Sequence, residues 1–257
     1  MPDVKQRSGE ALLLQTTDLH ERDRIVVFLS RDRGLKRGAA RSARTRFSRF
    51  GGELQQLAKV HLTWFEKPER ELVRLGEAEM IRSARALHED LEGILVSSYL
   101  AEHMQVFAQE DEPENHLYRL LDTTVQALLD GCDRWLAARY LECWTLRLSG
   151  VFPAPRRCPA CGNAIGDEAF LAVDAAGLLC PSCGGSAGAN RRVGAEALAF
   201  LRRIAGSDLA GLQANGQVDE ATLKSVESVT REVRRAFLGR ELKSYGVMQR
   251  TLRDVAP

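Results

Sequence analysis

Apolar and polar positions change rhythm twice along this chain. The first stretch carries short apolar runs of strand length, Ala11-Leu12-Leu13-Leu14 and Ile25-Val26-Val27-Phe28-Leu29, each too brief for a helix. A turn at Asp32-Arg33-Gly34 leads from the second run into Leu35-Lys36-Arg37-Gly38, where glycine supplies the conformational freedom of a hairpin. Residues 57–65 then alternate: Leu57, Lys59, His61, Thr63 and Phe65 share one face, and Ala58, Val60, Leu62 and Trp64 the other. Residues 71–80 continue the alternation, with Leu72 and Arg74 followed by Leu75 and Glu77. Five short strands in this space predict a small Greek-key barrel such as the OB-fold, and an SH3-like barrel would give a similar pattern.

From about residue 81 the period becomes helical. Ile94, Leu95, Ser98, Leu100, Ala101, Met104 and Phe107 form one stripe, which Asp111-Glu112-Pro113-Glu114 interrupts. Leu117, Leu120, Leu121, Thr124, Leu128 and Leu129 form a second. Trp135, Ala138, Leu141, Thr145 and Leu148 form a third, stopped by Gly150 and Pro153. Two more helices are predicted over 194–204 and 222–238, the latter with Leu223, Val226, Val229, Val233 and Phe237 on one side. The expected fold is α+β: an N-terminal OB-fold barrel over 1–80, then a helical domain over 81–257 carrying an inserted zinc-binding module at about 151–190. The helices on both sides of that insertion are expected to share one core.

The insertion is where the cysteines lie. Cys158-Pro-Ala-Cys161 is followed by 18 residues and then Cys180-Pro-Ser-Cys183. Two CxxC pairs at this separation match a tetrahedral four-thiolate zinc site. Gly162 and Gly184 follow the two pairs and are expected to turn backbone N–H groups toward the sulfurs. Two structural disulfides or a redox CxxC are the alternatives, and the latter normally uses one pair beside a βαβ pattern. One structural Zn²⁺ per chain is expected; a closed site of this kind leaves no position for catalysis. Cys132 and Cys143 fall on helical stripes and read as small core residues.

Composition narrows the class. The chain has 257 residues, 44% apolar and 28% charged, enough for one large or two modest cores. The start, Met1-Pro2-Asp3-Val4-Lys5, lacks the apolar core of a signal peptide. No apolar run reaches the length of a membrane span, so no membrane partner is expected. Cysteines without a secretory signal suggest the reducing cytoplasm, where thiolates bind metal.

Net charge is only +1, but it is unevenly spread. Arg31, Arg33, Lys36, Arg37, Arg41, Arg44, Arg46 and Arg49 fall in one window with Asp32 as its only acid, and Phe47 and Phe50 interleave with them. Cations that follow phosphates beside rings that stack on bases are what an OB-fold uses to bind single strands. A solvated charge run on a loop has the same composition. The stretch from Gly76 to Glu142 is acidic by contrast, with Glu89-Asp90 and Glu110-Asp111-Glu112. It reads as a face that repels a duplex and suits a partner or plain solvent. Enzyme motifs are missing: there is no P-loop, GxGxxG, GxSxG or HExxH, and His20, His61, His88, His103 and His116 are scattered. Asp18, Glu21 and Asp23 could hold Mg²⁺, or simply form a polar hairpin.

Taken in order, the segments Gly9-Glu10-Ala11-Leu12-Leu13-Leu14, Glu21-Arg22-Asp23-Arg24-Ile25-Val26, Arg31-Asp32-Arg33-Gly34-Leu35 and Gly38-Ala39-Ala40-Arg41 are distinctive. So are Leu146-Arg147-Leu148-Ser149-Gly150-Val151-Phe152-Pro153 entering Cys158-Pro-Ala-Cys161-Gly162, and Leu238-Gly239-Arg240-Glu241-Leu242-Lys243-Ser244. Over nearly its full length the chain resembles the RecO family of bacterial recombination mediators. It departs at Ser42-Ala43-Arg44, where many members continue with lysines. The resemblance implies an N-terminal OB-fold, a helical domain with a zinc module, and no enzymatic activity. It implies binding to single- and double-stranded DNA and annealing of complementary strands. It further implies work with RecR to load RecA onto DNA coated by single-strand binding protein, in the cytoplasm at the nucleoid. Binding the acidic tail of that coating protein needs an apolar slot rimmed by cations. Arg231, Arg234, Arg235 and Arg240, with Lys243, lie near Phe237, Leu238 and Leu242, although an ordinary basic amphipathic helix reads the same way. The residues leave open two other classes, a zinc-ribbon enzyme acting on nucleic acid and a protein-interaction scaffold.

Overall fold

The computed structural model describes residues 4–67, 71–189, 191–214 and 216–255. The strands β1 (Lys5–Leu19), β2 (Asp23–Ser30), β3 (Gly34–Ala40), β4 (Lys59–Glu66) and β5 (Leu72–Arg82) come first. A single 3-10 turn follows, then α1 (Leu91–Phe107), α2 (Asn115–Leu129) and α3 (Arg134–Leu148). Next are β6 (Ala169–Leu171), β7 (Leu178–Leu179), α4 (Pro181–Ser186) and β8 (Arg191–Val193). The chain ends in α5 (Ala195–Ile204), α6 (Leu209–Ala214), α7 (Glu220–Leu238) and α8 (Lys243–Val255). Two compact units form. One holds the described residues up to Leu129 together with those from Leu242 on, and the other is Asp130–Glu241. The first unit thus groups α1, α2 and α8 with the strands.

In the first unit β1 pairs antiparallel with both β2 and β4, β2 with β3, and β4 with β5. A short parallel ladder from Arg37↔Leu72 to Ala39↔Arg74 joins β3 to β5, so the sheet closes on itself in the order β1-β2-β3-β5-β4. Alternation decides what fills it. Ala11, Leu13, Val26, Phe28, Val60, Leu62, Trp64, Val73 and Leu75 point inward, and the Phe28 and Trp64 rings meet edge to face at 5.5 Å. Burial of each large side chain contributes about 1.5–3 kcal/mol. The break in alternation within β5 is an irregularity of register opposite Leu62–Trp64. Leu57 does not share a face with Lys59. It precedes β4 with φ of 62°, is buried, and donates its N–H to Leu13 O at 2.6 Å.

Helix α1 packs against both β1 and α8, which explains why it is buried on most sides. Asp90 caps its N-terminus through Gly93 N–H at 2.8 Å. His103 is buried within it among Tyr99 and Phe107, a packing role and not that of a ligand. Helix α8 was not expected. Its apolar positions Tyr245, Met248 and Leu252 are few, and it is held from outside itself. Glu102 accepts the N–H groups of Lys243 at 3.1 Å and Ser244 at 2.7 Å, which satisfies orphan donors at the helix start.

In the second unit α3, α5 and α7 pack on one another, so the helices flanking the insertion do share a core. Leu223, Val226, Val229 and Val233 of α7 are buried as their spacing predicts. The same interface holds a charged lattice. Arg139 pairs with Glu142 at 2.8 Å and with Glu227 at 3.0 Å. Thr230 donates to Glu142 at 2.6 Å, and Arg234 pairs with Glu241 at 2.8 Å. Gly239, at φ of 68°, ends α7 in a left-handed cap. The insertion itself forms a three-stranded sheet in the order β7-β6-β8. Arg202 of α5 ties it down, donating to the carbonyls of Pro155, Ile165 and Gly166 at 2.7–3.0 Å.

Candidate metal centre and nucleic-acid interface

Cys158 and Cys161 sit on a tight turn between two facing segments. Cys158 N–H donates to Asn163 O at 2.9 Å, and Gly162 N–H returns to Cys158 O at 2.8 Å. Cys180 and Cys183 are placed differently. Cys180 occupies the N-cap of α4, Pro181 follows at the first helical position, and Cys183 lies in the first turn. The four sulfurs all lie within 4.8 Å of one another, with Cys161 and Cys180 at 3.7 Å. A tetrahedral ion with sulfur arms of about 2.3 Å needs S–S edges of about 3.8 Å. The donor set therefore fits such an ion, and the six cysteines are all free thiols.

The electrostatics of the cluster agree. Backbone N–H groups of Cys180, Cys161 and Ala160 aim at Cys158 and bring its thiol down to about 6, against the effect of burial. Cys183, hydrogen-bonded to Cys161 and Cys180, is pushed up to about 12. One thiolate forms readily while the Cys161 and Cys183 thiols are pushed up, a state that a central cation would relieve. The two glycines do not act as expected. Gly162 and Gly184 N–H groups go to carbonyls, those of Cys158 and Cys180, and the sulfur-directed donors come from other residues. Gly184 is needed for space, since a Cβ there would lie 2.8 Å from Cβ of Phe170. Cys132 and Cys143 are buried away from this cluster, and burial pushes the Cys132 thiol up to about 11 and that of Cys143 higher.

The basic window of the first unit separates into three fates. Arg31, Arg33 and Arg41 are exposed and make no ion pair among the described residues. Arg46 is exposed with its guanidinium 5.8 Å from the ring of Phe47, which is 91% exposed. Arg41, Arg46 and Phe47 stand on a loop held by successive turns: Thr45, Ser48 and Gly51 each donate to the residue three before. Phe50 corrects the expectation. Its ring is fully buried in the barrel interior with Ala43 and Leu54, so it anchors the loop and offers nothing to a base. Arg49 lies 5.3 Å from that ring and reaches Leu75 O at 3.5 Å.

Lys36 is the second correction. Lys36 and Arg37 are adjacent on a strand, so they face opposite ways. Lys36 is paired with Phe28 and shares its inward side. Its ammonium closes the barrel end between Glu66, at 3.2 Å, and Asp111, and the side chain is only 10% exposed. Glu66 also accepts from Trp64 Nε1 at 2.9 Å and Arg7 Nε at 3.3 Å. Burial works against its charge, but these bonds prevail and hold its carboxyl below the usual range. Arg37 faces outward and pairs with Glu110 at 3.4 Å. Arg44 is a brace: it pairs with Asp18 at 3.4 Å and donates to His20 O at 3.1 Å. Asp18 also takes Arg24, and Asp23 accepts Ser42 N–H at 2.8 Å, which accounts for two of the hairpin carboxylates considered for Mg²⁺. Several acids of 76–142 are taken up by cations: Glu110 and Asp111 pair with Arg37 and Lys36, Asp122 with Lys59 and Arg82, and Glu142 with Arg139.

Sequence reading missed the pair Phe65 and Arg74, opposite each other on β4 and β5 with the guanidinium 4.3 Å from the ring centre. Outward position in the alternation was the available signal. In the second unit Arg234 corrects the proposed tail surface. It is 1% exposed and bonded to Glu241, with Glu142 at 3.8 Å. Arg231 pairs with Glu241 at 2.7 Å, and Arg235 is near Glu232 at 3.7 Å. Arg240 is exposed and Phe237 half exposed.

Fold and sites together define an α+β protein with a basic, closed five-stranded sheet at one end of the chain and a helical unit carrying an insertion whose four clustered cysteines could hold a metal ion. Residues 4–84 match the family model described as Recombination protein O N terminal, and residues 88–246 match Recombination protein O C terminal. The chain belongs to the RecO family of DNA repair proteins. It is 32% identical over 250 residues to the DNA repair protein RecO of Anaeromyxobacter sp. (strain Fw109-5), covering 96% of this chain and 95% of that one. The protein of the same name from Pelotomaculum thermopropionicum is 28% identical with the same coverage, and that of Koribacter versatilis is 29% identical over 64% of this chain and 67% of its own. Among the described residues no helix is long and apolar enough to cross a membrane.

Proposed function

We propose that this chain is a non-enzymatic recombination mediator. In this reading its N-terminal sheet is an OB-fold that binds single- and double-stranded DNA and anneals complementary strands. The observation that carries it is the exposed set Arg41, Arg46 and Phe47 on a loop anchored by Phe50. Cations at phosphate-contact positions beside a free ring are the parts of a sequence-tolerant single-strand site. Arg31 and Arg33, also unpaired, extend the positive surface. Family membership supports the rest: work with RecR to load RecA onto strands coated by single-strand binding protein, in the cytoplasm at the nucleoid. Arg235, Arg240 and Phe237 remain as cations and ring for an acidic tail, with Arg234 excluded. The four-thiolate cluster is proposed to hold one structural Zn²⁺, which supplies folding energy to the insertion. The test is an annealing assay with complementary single strands, bare and coated, alongside a salt titration of strand binding. Annealing of bare strands with a steep salt dependence is expected. Salt-independent binding or none, by folded protein, would overturn it and favour an interaction scaffold.

A further inference from the structure

The acidic segment between α1 and α2 is docked on β3. The ladder from β3 to β5 covers only Arg37 to Ala39, which leaves the edge of Gly34–Lys36 open. Residues 109–111 take that edge. Leu35 N–H donates to Gln109 O at 3.0 Å and Asp111 N–H to Leu35 O at 3.4 Å, forming bridges between Gly34, Leu35 and Glu110. The fit is close: a Cβ on Gly34, which has φ of 62°, would collide with the carbonyl of Glu112 and come within 2.7 Å of that of Gln109. Each carboxylate then meets a cation. Glu110 pairs with Arg37, and Asp111 with Lys36.

The two contacts differ in kind. Lys36 is held by Glu66 as well and is nearly buried, so it stays in place if Asp111 leaves. Arg37 and Glu110 are 60% and 58% exposed. A pair so exposed is weak and salt-sensitive, and a strand of phosphates is a stronger partner for an arginine than one carboxylate. Resting on the reading of the sheet as a DNA-binding surface, we propose that the loop 109–112 is a built-in competitor. Glu110 occupies the place of a phosphate at Arg37, and a DNA backbone must displace it to use that arginine.

The experiment is a salt titration of a fluorescent polythymidine strand against four proteins: wild type, Glu110→Gln with Asp111→Asn, Arg37→Ala, and the triple variant. Glu110→Gln alone is a fifth, which leaves Asp111 on Lys36 should the double change loosen the barrel end. Removing the competitor should tighten binding about two- to five-fold, the size of an exposed ion pair. It should also steepen the salt slope by about one phosphate contact. In the Arg37→Ala background the gain should vanish. Equal affinity of wild type and the open-loop variants would overturn the gate while leaving DNA binding intact. A gain that persists without Arg37 would mean a general field effect and would overturn it too. No salt-dependent binding by any of the proteins would remove the DNA reading itself, and the gate with it.

Discussion

Arg41, Arg44, Arg46 and Arg49 follow β3 at much the same density as Arg231, Arg234, Arg235 and Arg240 along the end of α7, yet the two sets meet different surroundings. In the loop, apolar anchors at Ala43, Phe50 and Leu54 draw the backbone down and leave Arg41 and Arg46 in solvent. In α7 the buried acid Glu142 comes in from α3 and the partly buried Glu241 from beyond the helix cap, and Arg234 is absorbed into the core. What decides an arginine's role is the supply of carboxylates from elsewhere in the chain. A buried pair is costly to break, whereas an exposed cation is free for a ligand.

The largest effect expected is metal loss, which sharpens the comparison by acting on the second unit alone. Cys161→Ser, or stripping by a strong chelator, should remove the proposed ion and unfold the insertion over about 155–190. Structural zinc in small modules is worth on the order of 10 kcal/mol of apparent binding energy. Elemental analysis should find about one zinc per wild-type chain and none in the variant, and hydrogen exchange should lose protection there while the barrel amides keep theirs. Well under one zinc in wild type would refute the site.

Next comes the buried arginine. Arg234→Ala removes a buried cation beside Glu142 and Glu241, which keep Arg139 with Thr230 and Arg231 respectively, and leaves a gap where a large side chain was packed. It should cost about 3–5 kcal/mol. Chemical denaturation would measure it. A cost near that of a surface change would break the comparison, because Arg234 would then be no more engaged than Arg41.

The contrast shows what could be read from residues alone. The four-cysteine cluster was legible because its geometry is local: each CxxC pair closes its own turn or helix start. Val60, Leu62 and Trp64 were legible because strand alternation fixes their side. Arg234 carried a usable signal, since its spacing from Val226 and Thr230 puts it on the buried stripe of α7, but its charge suggested solvent. Lys36 likewise had to face away from Arg37. The acids that claim these cations were not legible. Glu66 and Asp111 reach Lys36, and Glu142 reaches Arg234, only after the sheet closes and the helices pack, and no local pattern encodes those meetings. Phe50 differs from Phe47 only through the turns between them.

Between these extremes lies the barrel end. Glu66 has its carboxyl held below the usual range by Trp64, Lys36 and Arg7. A lowered folded value contributes stability that is fully present above the unfolded value of about 4.3 and is lost as pH falls through the folded value. Glu66→Gln should therefore cost about 1–2 kcal/mol at neutral pH through weaker, uncharged hydrogen bonds. The difference from wild type should shrink on acidification below about pH 4. Thermal unfolding across pH measures it, and a constant difference would mean that the charge of Glu66 is not what holds Lys36.

The smallest expected change in stability, and the one most informative for function, belongs to Arg41→Ala with Arg46→Ala. Neither side chain makes an ion pair among the described residues, so unfolding should move by no more than about 0.5 kcal/mol. Phe50 and Leu54 keep the loop backbone anchored in both proteins, which rules out loop collapse as a cause of any binding loss. If these arginines meet phosphates, the salt slope for strand binding should fall by about two, one for each contact, and affinity should drop for all sequences alike. Adding Phe47→Ala should weaken binding further without changing the slope, because stacking releases no counterions. An unchanged slope in the double arginine variant would show that exposure does not mark the binding cations, and would move the site to Arg31 and Arg33 on the neighbouring turn.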